Sequence, residues 1–133
     1  MKKILISAFA LFALIAVACN KQNDQTMVRF HNTLGQDITD AHMDFDDDHK
    51  TDVGFIPAGG TTNYIEFDYF LTGDDWPMGT LAGIKGGEAF SAWSGLWCGT
   101  GVTFKQLEPG LYQIDIVHLG VDSLGWNQLI FAD

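Results

Sequence analysis

Between Met43 and Phe55 the chain reads MDFDDDHKTDVGF, so Asp44, Asp46, Asp47, Asp48 and Asp52 crowd around one histidine and one lysine. Carboxylates at alternate positions are how calcium loops present their oxygens, and such loops have a register that can be tested. With Asp44, Asp46 and Asp48 at the first, third and fifth positions, the sharp-turn glycine should fall at residue 49 and the bidentate glutamate at residue 55. Those positions hold His49 and Phe55, so the EF-hand pattern fails. A loose, weak calcium site and a solvated acidic turn remain as readings. The turn is the simpler one, and no metal ligand is assigned.

The other reactive side chains are no better organised. His31, His42, His49 and His118 show no HxH, HExxH or paired metal spacing. Ser91, Ser94 and Ser123 stand in no GxSxG context, and Gly99-Thr100-Gly101 lacks the Lys-Ser/Thr of a phosphate loop. Cys98, in SGLWCGTG, has neither a CxxC partner nor an adjacent histidine, which reads as a buried, inert thiol. The expectation is a protein that is not an enzyme and carries no cofactor.

Aromatic residues give the best candidate for binding. If Ala89 to Trp97 is extended, Trp93 and Trp97 fall on one face with Gly95 between them, while Phe90, Ala92, Ser94, Leu96 and Cys98 fall on the other. Exposed, the first face would be an indole platform with a glycine gap, on which a sugar ring or a partner's apolar group could stack. Trp76 and Trp126 are candidates to extend it. Both faces could equally be buried, the usual fate of large aromatics.

These residues must be positioned by strands. Short alternating runs separated by Gly, Asn, Asp and Pro clusters continue from Thr26 onward, with no sustained helical period. Val28 and Phe30 form the core face of a first strand that ends at Asn32-Thr33-Leu34-Gly35, and Ala41, Met43 and Phe45 alternate in a second. A third, Val53 to Ile56, follows across the acidic hairpin. In Thr62 to Phe70, Ile65, Phe67 and Tyr69 should face inward and Tyr64, Glu66, Asp68 and Phe70 outward. TGDDWPMG reads as a turn, and two strands divided by Lys85-Gly86-Gly87 fill Thr80 to Thr100. Val102 to Leu107, Leu111 to Leu119 and Gln128 to Phe131 complete about eight strands, which predicts an all-β, two-sheet antiparallel β-sandwich.

The N-terminus supplies an address. Lys2 and Lys3 precede the apolar run Ile4 to Ala16, which is shorter than the roughly 20 residues of a transmembrane helix. Ile15-Ala16-Val17-Ala18-Cys19 resembles a bacterial lipobox, which implies cleavage before Cys19 and acylation of its thiol and new amino group by palmitate-type chains. Two or three chains anchor a protein stably. The expected organisation is therefore a signal peptide over 1–18, a lipidated N-terminus and polar tether over 19–25, and one domain over 26–133. Cleavage removes two lysines and no acid, moving the formal charge from −10 to −12. A chain so acidic repels nucleic acid. The partners left are a membrane, through the lipid, and an envelope protein or a glycan.

One resemblance covers most of the chain after Cys19. The lipobox, the VRFHN strand, Pro-Ala-Gly-Gly-Thr-Thr-Asn-Tyr and Leu-Glu-Pro-Gly-Leu-Tyr-Gln-Ile-Asp-Ile are similar to small Bacteroidota-type lipoproteins with an immunoglobulin-like or transthyretin-like β-sandwich. Val28, Asn32, Gly59, Thr62, Tyr64, Leu107, Gly110, Tyr112 and Ile114 carry it. All are turn or core residues, so the resemblance implies a fold and an outer-membrane, cell-envelope location, and transfers no catalytic residue. The function expected is a lipid-anchored, non-enzymatic binding or accessory module. A glycan-binding module built on the tryptophans is the alternative.

Overall fold

A computed structural model describes residues 24–95, 101–121 and 125–133. Alternation of apolar and polar residues sets three of its four longest strands. β1 (Thr26–Asn32) buries Val28, Phe30 and Asn32, β2 (Ile38–Asp46) buries Ile38, Ala41 and Met43, and β10 (Gly110–Leu119) buries Ile114 and Ile116. Burying each large aliphatic or phenyl side chain contributes about 1.5–3 kcal/mol.

Two four-stranded sheets enclose this core. One has the order β11-β10-β1-β4, with β4 at Ile65–Phe67 and β11 at Trp126–Phe131. The other has the order β3-β2-β7-β8, with β3 at His49–Ile56, β7 at Thr80–Lys85 and β8 at Glu88–Ala92. A small third sheet, β6-β5-β9, joins Trp76–Pro77, Leu71–Gly73 and Phe104–Gln106. The sandwich is all-β, as the alternation predicts, and among the described strands the pairings are antiparallel with one exception. β1 runs parallel to β10, from Thr26↔Gly110 to Asn32↔Ile116.

Two segments depart from the expected strands. TGDDWPMG is a hairpin, because Asp74 and Asp75 both take positive φ (46° and 66°) and form a two-residue loop between the paired Gly73 and Trp76. Consecutive left-handed residues match the twist of flanking strands, and aspartate tolerates that region better than most residues. Asp74 is also held from outside, its amide donating to the Thr103 carbonyl and its carboxylate accepting from the Thr103 amide. The run Thr62 to Phe70, for its part, is not one strand. The chain bends after β4, so Phe70, expected to face outward, is 1% exposed and meets Phe45 and Phe67 edge-on at 4.8 and 5.1 Å. Tyr69, expected inward, is half-buried and stacks on His49 at 3.9 Å.

The ends of the sandwich can be told apart. At the near end lie Thr26, its partners Phe67 and Gly110, and the Asp46–His49 turn, brought there by the His49–Tyr69 stack. At the far end Asn32, fully buried, donates from Nδ2 to the carbonyls of Gln36 and Ile56 and accepts from the Leu34 amide. One side chain thus closes a turn and ties the two sheets together. The β7–β8 turn and the Leu119–Trp126 pair share this far end, since Lys85 pairs with Ile38 and β10 runs parallel to β1.

Candidate ligand-binding site

The β7–β8 hairpin fixes the first wall of the site. Gly86 and Gly87 take φ of 59° and 81° and leave Lys85 opposite Glu88. A two-residue loop makes its flanking residues a hydrogen-bonded pair, and such pairs alternate along an antiparallel ladder. Lys85/Glu88, Gly83/Phe90 and Leu81/Ala92 therefore bond across the hairpin, while the backbone groups of Ala89 and Ser91 point away from β7.

The second wall is β11. Just past β8, Trp93 bridges Gln128 in parallel: the Trp93 amide donates to the Asn127 carbonyl at 3.2 Å, and the Leu129 amide donates to the Trp93 carbonyl at 3.0 Å. Asn127 Nδ2 donates to the Ser91 carbonyl at 3.1 Å, and Gln128 Nε2 to the Ser94 carbonyl at 2.8 Å. A single bridge thereby links the two large sheets along their β8 and β11 edges. Beyond Ser91 the walls splay toward the far end and open a cleft of about 370 Å³, its lining including Lys85, Glu88, Ser91, Trp93, Trp126 and Asn127. That volume lies within the range of small-molecule sites.

Trp93 and Trp126 stand 5.5 Å apart between ring centroids, tilted by 49°. Trp126 owes its place to Gly95: at φ +83° the glycine has no side chain where the indole lies, and a Cβ there would collide with the ring. The glycine gap foreseen in the sequence is therefore filled by an indole 31 residues away. Trp126 is 37% exposed and Trp93 half-buried. Trp76 belongs to β6 of the third sheet and does not line the cleft. Trp97, Cys98 and Cys19 lie outside the described residues. Sequence reasoning named all four tryptophans, of which Trp93 and Trp126 line the cleft, and missed Lys85, Glu88, Ser91 and Asn127. Lys85 and Glu88 were signalled by the Gly-Gly turn, whereas Ser91 and Asn127 matter only because β8 meets β11.

The acidic stretch does something else. Asp46 Oδ1 accepts from the amides of Asp48 and His49, both at 2.9 Å, and from His49 Nδ1 at 2.7 Å, which closes the Asp47-Asp48 turn. Desolvation pushes the Asp46 carboxyl upward. The hydrogen bonds from His49 and the Asp48 amide, together with the His49 charge, outweigh it, so the pKa lies below the ordinary 3.8. Asp44 faces His42 at 3.3 Å and Lys50 at 3.9 Å. The remaining histidines also have local partners, His31 with Asp115 and His118 with Asn127, each at 3.1 Å. Among the described residues no three His, Cys, Asp or Glu side chains converge into a metal shell.

No family model matches the chain, and no curated protein matches it in sequence. A protein from Eubacterium rectale, solved by NMR, has a similar backbone, with a TM-score of 0.50 at 15% identity over 83% of this chain and 90% of its own. At that identity the likeness extends to the fold and no further.

Proposed function

We propose that the chain is a lipid-anchored, non-enzymatic binding module of the bacterial cell envelope, tethered through Cys19 to the outer membrane and presenting the Trp93–Trp126 cleft to a ligand. One observation carries this reading. β1 begins at Thr26, so the polar residues 20–25 join the lipobox cysteine directly to the near end of the sandwich, and the cleft opens at the opposite end. Six extended residues reach at most about 20 Å, and the seven residues of β1 add roughly 23 Å more. A ligand site on such a tether faces away from the bilayer.

The test is Cys19→Ala. Expression of the wild-type chain should place it in the membrane fraction with the mass of a cleaved, acylated protein, and the variant should leave that fraction without acyl mass. A variant that stays with membranes to the same extent sinks the anchored reading.

A further inference from the structure

The walls of the far-end cleft offer more than two indoles. On the β8 edge between Glu88 and Ser91, the outward groups are the amide and carbonyl of Ala89 and of Ser91. Among the described residues, the Ser91 carbonyl alone of these four is taken, by Asn127 Nδ2. The other three groups must be satisfied by water or by a ligand. Lys85 and Glu88 stand at the mouth with opposite charges, so the rim adds hydrogen-bonding capacity without a net sign.

The free edge is too short for a peptide strand. An added strand needs donors and acceptors at alternate residues. Here the ladder is stopped on one side by Asn127 and on the other by the Gly86-Gly87 turn. One acceptor flanked by two donors does suit neighbouring hydroxyls of a single small polyol. The indoles are tilted by 49° and in contact at 5.5 Å, so a ligand meets the exposed surface of Trp126 and not a flat tandem platform. A flat platform would instead run along a polymer. Trp126, with 37% of its surface open, offers the apolar surface on which the C–H face of a sugar packs. The chain's charge of −10, or −12 after cleavage before Cys19, disfavours carboxylated or sulfated sugars.

We infer that the cleft between β8 and β11 binds one neutral pyranose unit of a glycan, its C–H face on Trp126 and adjacent hydroxyls on the Ala89 carbonyl and the Ser91 amide. This deepens the binding-module reading and rests on it.

The experiment uses the full chain in detergent, with tryptophan emission titrated by soluble β-glucan, α-mannan and galactan oligosaccharides and by oligogalacturonate as the acidic counterpart. At least one neutral oligosaccharide should give a saturable shift, and oligogalacturonate should bind at least tenfold more weakly. Trp126→Ala should weaken binding about tenfold, the equivalent of one stacked ring, Trp126→Phe should retain most of it, and Trp76→Phe should leave it unchanged. Circular dichroism confirms that each variant is folded. No shift with any neutral oligosaccharide up to millimolar concentration overturns the inference. So does equal or tighter binding of oligogalacturonate, or unchanged affinity in folded Trp126→Ala. Each of these can occur while Cys19 still directs the chain to membranes, so the inference and the anchored reading fail separately.

Discussion

The seat of Trp126 on Gly95 can be tested by one methyl group. Gly95→Ala meets two separate penalties. At φ +83° an alanine sits in the left-handed region, which costs an L-residue about 1–2 kcal/mol. Its Cβ also falls where the Trp126 ring lies, so the indole must move. Moving it forfeits the contact with Trp93, and such aromatic pairs contribute roughly 0.5–1.5 kcal/mol beyond their burial. Together the loss should be about 2–3 kcal/mol, a large share of the 5–15 kcal/mol by which ordinary domains are stable.

A double-mutant cycle separates the two penalties. In a Trp126→Ala background no ring opposes the new methyl, so Gly95→Ala should cost only its backbone share, about 1–2 kcal/mol. The cycle should return a coupling of about 1 kcal/mol, well above the ~0.3–0.5 kcal/mol within which independent sites add. Urea unfolding followed by far-ultraviolet circular dichroism suits the purpose, because removing a tryptophan alters fluorescence but leaves the strand signal readable. A coupling inside the additivity range would mean that the indole does not occupy the space above Gly95. The far-end cleft as described would then be wrong.

Two further perturbations address the ends of the sandwich. Asn32→Ala removes three hydrogen bonds from a fully buried residue, which should cost about 3 kcal/mol and lower the melting temperature by on the order of 10 °C; a change under about 1 kcal/mol would remove its role as a tie between sheets. At the near end, the Asp46 carboxyl is depressed in the folded state, so the stability it contributes is present above the ordinary 3.8 and is lost as pH falls through the lower folded value. His49→Ala should therefore raise the Asp46 pKa in an NMR titration, and the stability gap between wild type and variant should narrow below that ordinary value. Identical Asp46 titrations in the two proteins would refute the assigned cause.

How far the sequence could be read depended on the range of the interaction concerned. Val28 and Phe30, or Ala41 and Met43, are placed by alternation, a property of adjacent residues, and all four are fully buried. The Lys85-Gly86-Gly87 division likewise fell at the observed turn, because two glycines supply two positive φ values at no steric cost. The β5–β6 hairpin escaped because Asp74 and Asp75, the first held by Thr103 from 29 residues away, adopt the conformation that glycine or asparagine would have advertised. Phe70 escaped because the bend that turns it inward is driven by Phe45 and Phe67, a tertiary cause. The parallel pairing of β1 with β10 joins segments over 80 residues apart and has no local signature. Of the site, residue type pointed to Trp93 and Trp126. Ser91 and Asn127 became visible only when the edge of β8 met the edge of β11.

The same topology explains why the acidic hairpin and the indoles need not compete. β2 and β3 carry Asp44, Asp46, Asp47 and Asp48 to the end where β1 begins. On the anchored reading these carboxylates face the bilayer, whose anionic headgroups repel them within a Debye length of about 8 Å. The tether keeps the domain close while this repulsion resists its lying down on the surface. A cleft beside the Asp46 turn would be crowded by headgroups and biased toward cations. At the Lys85–Glu88 turn the cleft instead has one lysine and one glutamate in its lining, a balance that suits the uncharged ligand proposed for it. On the two proposed readings the carboxylates that first suggested a metal site would act on the orientation of the domain, and recognition would fall to the uncharged edge of β8 and two tryptophans.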